Sequence, residues 1–460
     1  MTDFAALLLS DKGQPARALH RVTLAGFKDW LALQPPRARA AVSAARFTGK
    51  ADSIVILPGD GADEWSVALG VDANDGPWSL AAAAAKVPEG HYRLADGPAG
   101  EAALGWLLAQ HRFDRYRQSP EAEGPRVLLT ADPARIDEAV RLAQAVALVR
   151  DMVDTPACDM GPAELVDAVE RVAGGHGATV TVTQGDMLAE GYPMIHAVGR
   201  AATRARAPRL IELEWGDPAH PRVAIIGKGV CFDSGGLDIK PSAGMLLMKK
   251  DMGGAAHALA LAALVMGARL PVRLHLLIPA VENAISADAF RPGDILRSRA
   301  GLHVEIGNTD AEGRLILADA LAKAAEGAPA LMLDFATLTG AARVALGPDL
   351  PALFANDDPL ADALLAAGVA AADPLWRLPL WHSYREMLKS DVADINNAGQ
   401  GGFAGAITAA LFLERFVPAA LPWAHIDTFA WSPAARPGRP KGGDALGLRA
   451  CFGLLRLRFG

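Results

Sequence analysis

The sequence predicts an α/β protein in two parts: a larger C-terminal domain on a mixed, mostly parallel sheet with helices on both faces, and a smaller N-terminal α/β domain. Three observations predict it. Beyond residue 163, short apolar runs alternate with helical stretches, the pattern of a sheet buried on both sides. Apolar residues make up 51% of the 460 and charged residues 21%, enough to fill a large core. Asp154, Pro156, Gly161 and Pro162 crowd turn and helix-start signals into a few positions, which marks a junction. The expected boundaries are 1–130 for the first domain, 131–160 for a linking helix and turn, and 161–460 for the second.

In the first part the pattern is irregular: a strand-like run at 53–57, an Ala-rich helix at 80–86 and a helix at 101–112. An amphipathic stretch at 133–153 predicts the linking helix. Helix 163–172 and strand 179–183 come next, followed by strands 209–215 and 223–226. Helix 255–266, strand 272–280, helix 313–326, strand 330–334, helix 405–416 and strand 423–427 complete the series. In such sheets functional residues gather beyond the carboxyl ends of the strands.

Charge and cysteine content narrow the function classes. Lys and Arg total 45 against 52 Asp and Glu, a formal charge of −7, so the overall field does not favour a polyanion such as nucleic acid. The arginines at 200, 204, 206 and 209 form the one local basic cluster that stands out, and a solvated loop accounts for it. Three widely spaced cysteines, Cys158, Cys231 and Cys451, suit reduced thiols in a cytoplasmic enzyme better than a disulfide framework. The apolar run 5–9 is too short for a signal-peptide core. The longest apolar stretch, 258–268, falls short of the roughly 20 residues a membrane helix needs. A soluble, cytoplasmic protein is expected.

Two segments concentrate chemistry. The first, 226–251, combines Lys228, Asp233, Asp238, Lys240, Lys249, Lys250 and Asp251 with Gly227, Gly229, Gly235, Gly236 and Gly244, directly after an apolar strand. The second is Asn308 to Arg314, where Asp310, Glu312 and Arg314 are spaced two apart, so an extended backbone would send all three to one side. Each alone also fits something ordinary: a solvated loop in the first case, an acidic helix start capped by Thr309 or Asp310 in the second. Together they offer Asp233, Asp251, Asp310 and Glu312, enough hard oxygen ligands to bridge two divalent ions about 3.5 to 4 Å apart. A lysine among the ligands would have to bind as the neutral amine.

The motifs Gly227-Lys228-Gly229, Phe232-Asp233-Ser234-Gly235-Gly236, Lys240-Pro241-Ser242, Met248-Lys249-Lys250-Asp251-Met252 and Asn308-Thr309-Asp310-Ala311-Glu312-Gly313-Arg314-Leu315 closely resemble those of the leucyl aminopeptidase (cytosol aminopeptidase) family of dinuclear metallo-exopeptidases. Supporting matches at 334–341, 390–394 and 423–427, and backwards to 150–162, carry the resemblance from about Arg150 to the C-terminus; the first 150 residues match only loosely. The resemblance implies metal ligands at Lys228, Asp233, Asp251, Asp310 and Glu312, with Asp233 and Glu312 bridging. It implies catalytic residues at Lys240, which polarises the scissile carbonyl and steadies the oxyanion, and Arg314, which holds a bicarbonate serving as general base. None of these seven positions is substituted. It further implies Mn or Zn, with Mg or Co alternatives, short peptides as substrates, an apolar, leucine-like residue removed, and a homohexamer. Met248, Thr337, Leu338 and Ala430 are the expected side-chain pocket. Where the family shows Asp-Ile-Ala-Gly followed by Ala-Trp, this chain has Asp427-Thr428-Phe429-Ala430-Trp431, shorter by about two residues.

Other readings fit less well. Ser234 has no G-x-S-x-G elbow, and His257, His275, His303 and His425 form no H-E-x-x-H pair. A phosphate loop is missing its first glycine, since Arg222 stands there, and Gly229 replaces the final Ser or Thr. A non-catalytic relative acting as a DNA-binding or regulatory protein is the remaining alternative; the net charge and the seven intact positions argue against it.

Overall fold

The computed structural model describes residues 2–73, 76–118 and 124–460. It divides into one unit of residues 1–147 with 434–441 and a second of residues 148–433 with 442–460. The change of unit comes inside the long helix Ile136–Asp154.

In the first unit six strands, β1 (Leu8–Ser10), β2 (Arg17–Thr23), β3 (Ile54–Pro58), β4 (Trp65–Val71), β5 (Gly90–Leu94) and β6 (Arg126–Thr130), form a sheet ordered β1-β6-β5-β2-β4-β3. All pairings are parallel except β3 with β4 at the edge. Of the six, the sequence reading found β3 alone. β1 has only three residues, β2 buries every third position, and β4 and β6 are buried over most or all of their length, so no in–out alternation reports them. The expected helix at 101–112 contracts to Ala103–Leu108, where Trp106 is fully buried and donates its indole N–H to the Arg126 carbonyl at 2.9 Å.

The second unit holds β7 (Thr179–Gln184), β8 (Arg209–Trp215), β9 (Arg222–Gly227), β10 (Gly229–Asp233), β11 (Arg273–Asn283), the small β12 (Ile295–Arg297) and β13 (His303–Glu305), β14 (Leu331–Ala336), β15 (Ala352–Ala355), β16 (Trp376–Arg377), β17 (Ile395–Asn396) and β18 (Trp423–Asp427). Its main sheet has nine strands in the order β16-β15-β18-β14-β9-β11-β8-β7, with β10 added onto β11. The centre, β11-β9-β14-β18, is parallel, and β8 and β15 join it antiparallel. Strand Leu331–Ala336 is wholly buried and Arg222–Gly227 is buried from Val223 onward, which explains sequences that are apolar except for Arg222 at the rim and the hydrogen-bonded Asp334.

Helix Gly253–Gly267 is apolar all round and buried along nearly its whole length. Its first turn lies so close to the sheet that a Cβ on Gly254 would come within 2.2 Å of the Phe335 carbonyl oxygen and 2.8 Å of the Lys228 nitrogen. Only glycine permits this approach. The other side of the sheet is covered by helix Glu312–Ala325, whose Leu315, Ile316 and Leu317 join Ile226, Leu277 and Met332 in one apolar cluster. Strand β11 runs to Asn283 rather than ending near 280, because β10 extends the pairing as far as Asp233 opposite Asn283.

Candidate metal centre

Strand register assembles the site. Gly227 of β9 pairs with Phe335 of β14, and Ala336 pairs with Asp427 of β18, so Lys228, Thr337 and Asp427 emerge together at one edge of the sheet. Asp233 ends β10, while Asp251 sits in the single turn Met248–Met252 that leads into helix Gly253–Gly267. Glu312 opens its helix. The extended backbone expected across 310–314 is instead this helix start. Its cap residue is Ala311, with no side-chain cap, so neither Thr309 nor Asp310 performs the ordinary capping role. Gly227-Lys228-Gly229 joins two strands and leads into no helix, which removes the phosphate-loop geometry.

The five expected ligands and Lys240 do converge. Ligand oxygens of Asp233, Asp310 and Glu312 lie within 4.8 Å of one another. Lys228 Nζ is 2.7 Å from Asp251 Oδ2 and 3.0 Å from Glu312 Oε1, and donates to the Thr337 carbonyl at 3.1 Å. Lys240 Nζ lies 2.7 Å from Asp233 Oδ2 and also pairs with Asp310. Arg314 donates through Nη1 to the Asn397 carbonyl at 2.8 Å. A Cβ on Gly313 would meet Lys228 Cε at 2.4 Å, so the glycine makes room for the lysine.

Electrostatics here are strained by crowding. Burial, reinforced by the Asp233 carboxylate, pushes Glu312 up to about 8 and Asp310 up to about 6. Burial opposes the charge on Lys228, but Asp251, Glu312 and Asp233 outweigh it and hold its ammonium above the usual lysine range. Glu312 Oε2 is buried with no hydrogen-bond partner. Clustered carboxylates with an orphaned oxygen are the donor set that hard divalent cations satisfy, so the residues fit such ions.

Of the residues that hold this set in place, sequence reasoning missed Asn283 and Asn397 and gave Thr337 and Thr309 other roles, in the side-chain pocket and at a helix cap. Asn283, fully buried, donates to Asp233 Oδ1 at 2.9 Å and to the Thr309 carbonyl at 3.2 Å. Thr337 Oγ1 donates to Asp251 Oδ1 at 2.7 Å. Thr309 accepts from the Asp238 N–H at 2.8 Å and donates to the Gly235 carbonyl at 2.7 Å, stitching the two motif loops together. Asn397, also fully buried, accepts from the N–H groups of Gly307 and Asn308 and donates to the carbonyls of Asn308 and Ala311. It thus shapes the loop that presents Asp310 and Glu312, and its own carbonyl receives Arg314. Asn397→Ala is expected to lower kcat/KM by about 10–100-fold and to weaken metal affinity alongside, as loss of an outer partner does in metal sites; metal titration of wild type and variant checks it.

The centre lies in a cleft of about 520 Å³. Met248, Thr337 and Leu338 line it, whereas Ala430 is fully buried and Phe429 takes the lining position beside it. A Cβ on Gly253 would sit 2.5 Å from the Ala430 methyl, which faces helix Gly253–Gly267. Lys250, Arg343 and the glycines of 399–405 complete the wall. Ser234 donates its hydroxyl to the Asn283 carbonyl and belongs to the loop's own bonding. His257 is held between the Gly253 carbonyl and the Leu446 N–H, and His425 by Asp334, so neither is free to ligate. In the arginine cluster, Arg200 bonds the Asp288 carbonyl and Arg206 the Cys158 carbonyl.

The profile of the "Cytosol aminopeptidase family, catalytic domain" matches residues 147–452, and that of the "M17 aminopeptidase, N-terminal domain" matches residues 18–128. The first part, only loosely similar by motif, is therefore recognisable too. A protein named "Probable cytosol aminopeptidase" from Syntrophotalea carbinolica is 44% identical over 368 residues, 76% of this chain and 73% of that one. The crystal structure of cytosol aminopeptidase from Coxiella burnetii superposes with a TM-score of 0.94 at 47% identity, covering 99% of this chain and 100% of that one. A bottromycin maturation enzyme described in complex with Mn gives 0.86 at 33% identity, with 98% and 99% covered.

Proposed function

The chain belongs to the cytosol aminopeptidase family and is a metallo-aminopeptidase, and from that premise we propose how its residues divide the work. Lys228, Asp233, Asp251, Asp310 and Glu312 hold two divalent cations, Mn or Zn with Mg or Co as alternatives. The observation that carries this is the convergence of Asp233, Asp310 and Glu312 within 4.8 Å, around a buried carboxylate oxygen that nothing else satisfies. Such a pair of ions supplies acidified water and a positive field on the scissile carbonyl.

The chain's own side chains do the rest. Lys240, on a flexible stem at the cleft edge, donates to the carbonyl oxygen as negative charge develops there. Arg314 is the residue that would hold a bicarbonate, and its buried Nε, without a partner, is the donor left for one. With two divalent cations in place, the peptide's free N-terminal amine, as the neutral base, would be taken by one of them, which favours cutting after the first residue. Met248, Thr337 and Leu338 contact that residue's side chain.

The test is release of the N-terminal residue from amino-acid p-nitroanilides and X-Gly dipeptides, before chelation, after it, and after Mn or Zn is restored. Activity is expected to vanish with chelator and return with metal; metal-loaded protein that cleaves nothing overturns the reading. The cytoplasm is the proposed site of action and a homohexamer the proposed assembly, both carried over from the family. Six 48.0 kDa chains should sediment together, and a mass of one chain overturns that assembly. Among the described residues no helix is long and apolar enough to cross a membrane.

A further inference from the structure

The cations of the cleft are not all accounted for by the chemistry above. Lys228 is answered by Asp251 and Glu312 and Lys240 by Asp233 and Asp310, while Arg314, held by the Asn397 carbonyl, is the cation assigned above to a bicarbonate. Lys250 and Arg343 remain. Both line the cleft, and neither has an ion pair with a carboxylate among the described residues. Their shared contact is one aromatic ring: Lys250 Nζ lies 5.0 Å and Arg343 Cζ 4.8 Å from the centre of Phe429. The carboxylates nearest in the chain or across the sheet are already engaged. Asp251 is taken by Lys228 and Thr337, and Asp427 accepts from the Thr339 hydroxyl and from the N–H groups of Leu338 and Thr339.

Lys250 is only 5% exposed, so its side chain is largely out of water, and no carboxylate is ion-paired with its ammonium among the described residues. That arrangement is unfavourable, and an aromatic face makes up only part of the lost hydration. Filling the metal sites would add positive charge nearby and deepen the deficit. What would balance it is an anion arriving through the open side of the cleft, where the substrate enters. A leucine side chain in the same place would desolvate both cations and return nothing to them. Phe429 stands in the run 427–431, the stretch that is shorter than the family pattern.

We propose that Lys250 and Arg343, set against Phe429, form a carboxylate-binding wall that makes acidic residues, glutamate or aspartate, the preferred N-terminal residues of the peptide substrate. This rests on the aminopeptidase reading and specifies its substrate. Lys250 supplies a buried point charge, and Arg343, more exposed, supplies a planar fork suited to a carboxylate. Met248 and Leu338 contact the methylenes.

The test uses the metal-loaded full chain with the p-nitroanilides of Glu, Asp, Leu and Lys, which carry no carboxylate beyond the first residue. The ratio of kcat/KM for Glu over Leu is the readout, because it does not depend on the fraction of active protein. It is expected to exceed unity in the native chain and to fall about tenfold or more in Lys250→Met and in Arg343→Ala. Arg343→Glu should turn the preference toward the Lys substrate. A native chain that cleaves the Leu substrate best, with a ratio unmoved by either substitution, overturns the proposal while leaving the peptidase intact. If Leu-Gly instead outruns its C-terminal amide, and that advantage is lost in Arg343→Ala, the wall reads the far carboxylate of a dipeptide and the assignment to the first residue is wrong. Cleavage of nothing defeats the aminopeptidase reading and this proposal with it.

Discussion

Glu312→Gln is expected to abolish measurable peptidase activity and to lower bound divalent metal from two ions per chain to one or none, with the fold left standing. Glutamine has the same shape and keeps one carbonyl oxygen, so the helix start and its packing are retained. What disappears is the charge and the second anionic oxygen. Glu312 is 1% exposed, with Oε1 on Lys228 and Oε2 without a partner, so no neighbouring carboxylate is free to move into its place. Asp251 and Asp233 are fixed by Thr337 and Asn283. The loss should therefore exceed the about 10–100-fold expected for an outer partner such as Asn397. Two measurements separate this from misfolding. Metal content by elemental analysis should fall while the far-ultraviolet spectrum stays native. Added Mn should raise the unfolding midpoint of the wild type, by the linkage that gives about 2.7 kcal/mol at one hundred times Kd, and leave the variant's nearly unmoved. A variant that retains both ions and full activity would remove Glu312 from the ligand set.

The candidate centre was legible in the sequence because the residues that converge there come in two tight motifs. Each motif lies directly at a strand or helix end, where local spacing already places side chains at the edge of the sheet. Lys228 and Asp233 illustrate this: both follow from where an apolar run stops. The supporting residues were invisible for the opposite reason. Asn397 reaches the Gly307 N–H across 90 positions of chain, and Asn283 reaches Asp233 across 50, and no local pattern reports contacts of that range. An asparagine in a polar stretch reads as a turn residue until the fold buries it. A different limit hid most of the first unit's sheet. Strands such as Arg126–Thr130 are short and buried on both faces, which leaves no alternation to detect. Phe429 is the intermediate case: its presence in a shortened loop was plain, but its position between Lys250 and Arg343 depends on β14, β18 and the turn before helix Gly253–Gly267 meeting at one edge.

Lys240→Ala should separate catalysis from metal binding. The expected loss is about 10²–10³-fold in kcat, the range found when one donor to a developing oxyanion is removed, with KM changed far less. The structure explains why the damage should stop there. Lys240 lies in the loop after β10, its side chain 15% exposed, and among the described residues its Nζ pairs with Asp233 and Asp310. Its place in a loop rather than a helix or strand means the fold should be unaffected. Removing its ammonium also leaves those two carboxylates without one of their counter-charges. They should then attract divalent cations at least as well as before. The variant is thus predicted to keep two ions and lose turnover, whereas Glu312→Gln loses both. Lys240→Arg should recover only part of the rate, because the planar guanidinium carries the charge but places its donors differently from a compact ammonium. If Lys240→Ala instead retains kcat within about tenfold of wild type, less than any oxyanion donor is expected to contribute, Lys240 serves only to neutralise the empty carboxylates. The field on the carbonyl would then have to come from the ions alone.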